Sequence, residues 1–152
     1  MSPTDPASDS ADSWSPGALD GLVVADFTRV LAGPYATMML ADLGAEVVKI
    51  ERPGAGDDTR SWGPPFTDDG MATYFASVNR NKESVTLDLR DADDLARARD
   101  LALAADVVIE NFRAGTMDRL GLGYDELRSH RQDLVYCSIT GFGRDGGAAL
   151  PG

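Results

Sequence analysis

From Leu19 onward the chain alternates between short apolar runs and stretches of helical spacing. Residues 22–27 (LVVADF) form a β-type run, followed by a loop over 28–33. Pro34 then suits the first turn of a helix, where its missing N–H would have no partner. That helix runs through Met38, Met39, Leu40 and Leu43 and stops at Gly44, a favoured left-handed terminator. Residues 46–51 (EVVKIE) are the next strand, which completes a βαβ unit of about 30 residues.

Residues 53–70 are rich in Gly, Pro and Asp and read as a long loop, and 71–78 as a short helix. Residues 84–89 (SVTLDL) alternate, with Val85, Leu87 and Leu89 on one face, and predict a strand. Asp91 caps a helix reaching about Ala104, whose inner stripe is Leu95, Ala98, Leu101 and Ala102. Residues 106–110 (DVVIE) are a buried-type strand, and 116–120 and 124–128 are short helical pieces broken by Gly121 and Gly123. A last strand falls at 134–139 (LVYCSI), ahead of a Gly-rich loop over 141–152. Alternating strands and helices imply an α/β fold with a doubly wound, mostly parallel sheet. A chain ending in a loop just after a strand, where this class supplies another helix, is expected to be a fragment.

Composition narrows the chemistry. The 152 residues carry 14 Lys plus Arg against 25 Asp plus Glu, a net charge of −11. The acidity argues against a nucleic-acid partner, and no apolar run is long enough for a membrane span. Residues 1–18 are Ser, Pro and Asp with no Lys or Arg, and read as a disordered acidic arm. Residues 19–152 form the folded part. The arm has neither the basic start nor the apolar middle of a secretory signal, and with a lone reduced Cys the expectation is a cytoplasmic protein. One His (His130) and one Cys (Cys137) exclude a disulfide framework and leave no His- or Cys-based metal site in view. His130 reads as a surface residue beside Arg128 and Arg131, and Cys137 as a small core residue inside a strand. Carboxylates, arginines and backbone amides are left to carry function.

The candidate chemistry gathers at predicted strand ends. The first strand-to-helix turn, TRVLAGPY, lies where doubly wound folds bind ligands, yet it has only Gly33 in place of G-x-G-x-x-G. An ordinary NAD site is therefore poorly supported, and a plain turn reads equally well. Glu51 stands where a Rossmann acid would meet a ribose, and Arg52 could meet a phosphate; such a pair is often only solvated. Twelve of the 14 basic residues are Arg, a planar fork suited to phosphates, although codon bias yields the same ratio. Asn111, Phe112, Arg113 and Arg119 offer an amide, a flat ring and two cations after the fourth strand, or merely a loop with a structural aromatic. Gly141, Gly143, Gly146 and Gly147 could admit a ligand close to backbone, or form a plain loop.

The strings LDGLVVADFTRVLAGPY, ADLGAEVVKIERPGAGDDTR, NRNKESVTLDLR, ADVVIENFRAGTMDRLGLGYDEL and YCSITGFGRDGG, in this order, resemble the amino-terminal part of class III coenzyme A transferases. That CaiB/BaiF superfamily includes α-methylacyl-CoA racemases. The resemblance covers residues 19–147. It implies a Rossmann-like CoA-binding domain, incomplete here, of a longer chain that forms an interlocked homodimer. The substrates implied are acyl-CoA and a carboxylic acid acceptor, with coenzyme A as carrier and no metal. The family's CoA contacts fall on Val30 and Leu31, on Arg52, on Leu87, Asp88, Leu89 and Arg90, on Asn111, Phe112 and Arg113, and on Arg119. Arg90 stands where some members have Lys, which keeps the charge. Leu31 stands where one branch has Gln, which bears on substrate identity.

In such transferases the nucleophile is an Asp after the G-F-G loop. Asp145 is not at that place, and the expected position falls beyond Gly152, so no catalytic residue is assigned within this chain. The implied reaction is covalent carboxylate catalysis through an aspartyl anhydride and an aspartyl-CoA thioester. Two alternatives stand: a racemase that shares the CoA groove and uses an acid/base pair, and a non-catalytic nucleotide-binding fragment.

Overall fold

A computed structural model describes residues 17–143. The first sixteen residues of the expected arm, with Asp145, Gly146 and Gly147, lie outside the described residues. Five parallel strands form one sheet: β1 Val23–Asp26, β2 Glu46–Glu51, β3 Lys82–Thr86, β4 Val107–Glu110 and β5 Val135–Ser138. Their spatial order is β3-β2-β1-β4-β5. The helices between them are α1 Ala32–Asp42, α2 Thr73–Asn79, α3 Ala92–Ala104, α4 Thr116–Arg119 and α5 Tyr124–His130.

Side chains alternate across the sheet, and each face has its own core. On one face Val24, Val47 and Ile109 pack with Ala41 of α1 and with Ala45. On the other Ala25, Ile50 and Val108 pack with Ala98 and Ala102 of α3, Met117 of α4 and Leu127 of α5. Helices on both faces make the sheet doubly wound, as the alternation predicts. The central strands are buried on both faces because both are covered, down to the charged Asp26, Lys49 and Glu51 within them.

Several local signals act as expected. Gly44 takes φ +103° just past Leu43, the C-cap of α1, and its N–H donates to Ala41 O at 3.0 Å. Asp91 caps α3, its carboxylate accepting from the N–H groups of Asp93 at 3.0 Å and Asp94 at 3.1 Å.

α1 begins at Ala32, inside the expected loop, and Pro34 falls in its first turn as expected, where helical N–H groups lack intrahelical partners. Three further expectations change. The third strand ends at Thr86, not Leu89. Leu87 N–H still reaches Glu51 O at 2.8 Å, and Leu87 and Leu89 then turn into the core as a loop. The long loop contains a 3₁₀ turn, Asp58–Ser61, capped by Asp57. Cys137 is exposed rather than core, because β5 is an edge strand whose Val135 and Cys137 face points outward. His130 sits on the surface of α5, within 3.5 Å of Glu126.

Candidate functional site

β1 lies between β2 and β4, and the chain leaves those two strands in opposite directions. This is the topological switch point, and the loops at the carboxyl ends open a crevice there. The first of these loops is held residue by residue. Phe27 N–H donates to Ile109 O at 2.9 Å. Thr28 N–H and Oγ1 both donate to Asp26 Oδ1. Asn111 grips Arg29 by both main-chain groups, accepting from its N–H and donating to its carbonyl, each at 2.8 Å. Val30 N–H donates to the Asp57 carboxylate at 3.3 Å, and Val30 takes φ +70°. A β-branched residue at that φ is strained, and such strain persists only where neighbours over-determine the backbone.

A buried ionic layer supports the turn. Lys49 Nζ donates to Thr28 O and to Asp57 Oδ2, both at 2.9 Å. Asp57 also accepts from Thr59 N–H at 3.0 Å and Thr59 Oγ1 at 2.8 Å. Asp26 accepts from Thr37 Oγ1 at 2.6 Å and from Lys82 Nζ at 3.2 Å. Lys82 also donates to Pro34 O and Asn79 Oδ1, both at 2.9 Å. Burial pulls the Lys82 ammonium down to about 8, against the opposing pull of Asp26. Charges this deep are tolerated only because every one has partners.

Glu51 belongs to the same layer. Burial opposes its charge, yet Arg60, Ser84 Oγ and Asp57 N–H all donate to it and hold the carboxyl down at about 2. Its oxygens are committed inward, so Glu51 is neither a solvated strand-end residue nor free to take a ribose.

Above this layer is a cleft of about 280 Å³. Phe27, Ile50, Leu87, Leu89 and Phe112 give it an apolar lining, and Arg29, Arg52 and Arg90 are its cations, with Glu51 and Asp88 beside them. The Arg29 guanidinium lies over the Phe112 ring, 4.7 Å from its centroid. Arg52 pairs with Asp58, and Arg90 pairs with Asp88 through two bonds of 3.0 Å. An apolar slot edged by guanidinium groups suits a flat, anionic, nucleotide-like ligand. A second hollow of about 340 Å³ lies on the other side of β2, lined by Lys49, Phe75, Lys82 and Arg80 among others. Its cations are spent on internal partners: Arg80, for example, on Asp42.

Of the residues singled out from the sequence, Arg52, Leu87, Asp88, Leu89, Arg90 and Phe112 meet in the one cleft. Val30, Leu31, Asn111, Arg113 and Arg119 are not in its lining. The Asn111 amide is spent on Arg29, Leu31 is about half exposed, and Arg119 donates to Thr116 Oγ1 at 3.1 Å. Arg29, Phe27 and Ile50 are cleft residues that sequence reasoning passed over. For Arg29 the signal was its place, three residues past the end of β1. Among the described residues no group of three or more His, Cys, Asp or Glu is placed to hold a metal. No described helix is long and apolar enough to cross a membrane.

Residues 19–151 match the family model described as CoA-transferase family III. The chain belongs to CoA-transferase family III. The succinyl-CoA:glutarate CoA-transferase of Mus musculus is 52% identical over 141 residues, which cover 93% of this chain and 31% of that protein. The succinyl-CoA:mesaconate CoA-transferase of Haloarcula hispanica is 56% identical over 131 residues, covering 84% of this chain and 33% of that protein. A CAIB/BAIF family protein from Brucella suis, solved by crystallography, superposes with a TM-score of 0.86 at 48% identity, over 91% of this chain and 37% of that one. This family III chain thus spans about a third of the length of the curated relatives it matches.

Proposed function

We propose that this chain is the CoA-binding amino-terminal part of an acyl-CoA:carboxylate CoA-transferase. The observation that carries this reading is the shared cleft. Arg52, the 87–90 segment and Phe112 come from three separate loops and converge on one apolar slot edged by cations. These six residues are part of the eleven-residue set the family resemblance assigns to CoA. Leu87, Leu89 and Phe112 offer faces for the adenine ring, and Arg52 and Arg90 offer donors to the phosphates. Leu31 is half exposed and outside this lining; the resemblance ties its position to acyl or acceptor identity. Membership in the family together with relatives named as dicarboxylate CoA-transferases supports acyl-CoA and a carboxylic acid as the substrate pair.

The transfer chemistry proposed for the whole protein is covalent carboxylate catalysis. An aspartate oxygen attacks the thioester carbonyl and CoA leaves as thiolate, giving a mixed anhydride. The thiolate then attacks the aspartyl carbonyl, releasing the first acid and leaving an aspartyl-CoA thioester, and the same two steps in reverse load the acceptor. The two carboxylates lining the cleft, Glu51 and Asp88, are each bound to an arginine. The described residues are therefore assigned to binding and not to attack. The proposed homodimer and cytoplasmic location rest on the resemblance and on the lone cysteine.

Calorimetric titration with CoA tests the assignment. The Arg52→Ala variant is expected to bind about tenfold or more weakly with unchanged thermal stability, because Arg52 and Asp58 form an exposed pair. Equal affinity in both proteins would remove Arg52 from the site. Solvent-deuterium incorporation at the acyl α-carbon by the whole protein, without acyl exchange, would move the reading to a racemase.

A further inference from the structure

Among the described residues four carboxylates are buried: Asp26, Glu51, Asp57 and Glu110. Three of them are paired with a cation: Asp26 with Lys82, Glu51 with Arg60 and Asp57 with Lys49. Glu110 has no such partner among the described residues, and its oxygens take neutral donors instead. One accepts from Ser138 Oγ, the other from the Phe112 N–H at 2.9 Å. A carboxylate this deep is costly unless its oxygens are filled, so both donors are firmly held.

The arrangement follows from the sheet. Glu110 ends β4 and Ser138 ends β5, and the two are register partners, so their side chains stand on one face. The Glu110 carbonyl also accepts from the Ile139 N–H at 2.9 Å. Past Glu110 the chain leaves the sheet, and the Phe112 N–H finds its acceptor in the Glu110 side chain. The bend after β4 is therefore tied to β5 as well as to its own strand.

Phe112 is the residue that this bend aims. Its ring packs against the core on the α3 face and lines the cleft, with the Arg29 guanidinium over it. Glu110 is buried and is not in the cleft lining, so it reaches a ligand only through Phe112. A wall that is set before the ligand arrives spares the ordering cost of binding.

We propose that Glu110, anchored to β5 through Ser138, is the positioning residue that sets Phe112 as a wall of the cleft. This rests on the reading of the cleft as a CoA site and adds the group that holds one side of it in place. No contact with CoA and no part in acyl transfer is assigned to Glu110.

The test is a double-mutant cycle, read by calorimetric titration of the 152-residue chain with CoA. Glu110→Ala is expected to weaken binding about 5- to 20-fold. In a Phe112→Ala background the same change is expected to cost less than about twofold, because the ring it positions is gone. A general loosening of the fold would cost the same in both backgrounds. Glu110→Gln, whose amide oxygen still accepts from the Phe112 N–H, is expected to recover binding to within about threefold of the wild type. Ser138→Ala removes only the anchor, and carries the same comparison at about two- to fivefold should Glu110→Ala not fold. Equal losses with and without Phe112, no loss in Glu110→Ala or Ser138→Ala, or a Gln variant as weak as the Ala variant would overturn the inference and leave the CoA reading standing. No binding of CoA by the wild-type chain would overturn both.

Discussion

Asn111 completes the main-chain hydrogen bonding of Arg29, a residue 82 positions away in sequence, by supplying the acceptor and the donor that a neighbouring strand would have supplied. The amide extends the β1–β4 pairing by one step after the strands themselves have ended. Replacing it with Asp keeps the acceptor and sets a carboxylate against the Arg29 carbonyl. Asn111→Asp is expected to destabilise by about 1–3 kcal/mol, from a lost bond and an unsatisfied group. CoA affinity should fall as the turn loosens. Urea denaturation and calorimetry check the two parts; a variant with wild-type stability and weakened binding would instead make Asn111 a direct ligand contact.

The Glu51 carboxyl predicts how the domain responds to acid. Its folded value of about 2 lies below its ordinary 4.5, so the group adds stability above about pH 4.5 and loses it as pH falls towards 2. The size is about 3 kcal/mol for two and a half units. Asp57, shifted in the same direction by its Thr59 and Lys49 partners against the cost of burial, steepens the loss. Unfolding free energy measured between pH 5 and 2 is expected to fall steeply in the wild type. The slope should be shallower in Glu51→Gln, which is less stable at pH 6.

Gly33 permits the closest approach in the turn. A Cβ placed there would stand 2.2 Å from Thr28 Cβ and 2.3 Å from its Cγ2. Thr28 is fully buried and bonded to Asp26, so it cannot step aside. Gly33→Ala is expected to cost about 1–3 kcal/mol by overpacking. Thermal unfolding reads the loss, and an unchanged midpoint would show that the N-terminus of α1 shifts freely.

Turnover is expected to be absent from residues 1–152 alone, since both cleft carboxylates are bound to arginines. Exchange of label between an acyl-CoA and a free carboxylic acid, followed with the purified chain, checks this. Measurable exchange would place a nucleophile within the chain.

The sequence displayed the fold better than the site. Strand β2 was readable to the residue because EVVKIE is a short stretch with Val and Ile at its centre, closely bounded by Gly44 and Pro53. Gly44 and Asp91 announced their helix boundaries by residue type. The alternation in SVTLDL overran the strand because it reports burial: Leu87 and Leu89 enter the core from a loop. The 3₁₀ turn was missed inside a Gly/Pro-rich loop, although Asp57 two places before Thr59 is a capping signal. Cys137 was misplaced because a strand pattern does not say whether a strand is central or at an edge. Arg29 escaped notice for a similar reason. Its place in the cleft, with its guanidinium over the Phe112 ring, becomes visible only once two loops distant in sequence are folded together.

The exposed thiol of Cys137 has one more consequence. It is the single cysteine of the chain and lies on the edge strand, on the face that also shows Val135. A thiol reagent therefore reports on one known place in the sheet, with no background from other sites. Its labelling rate is a built-in gauge of whether anything lies across that edge.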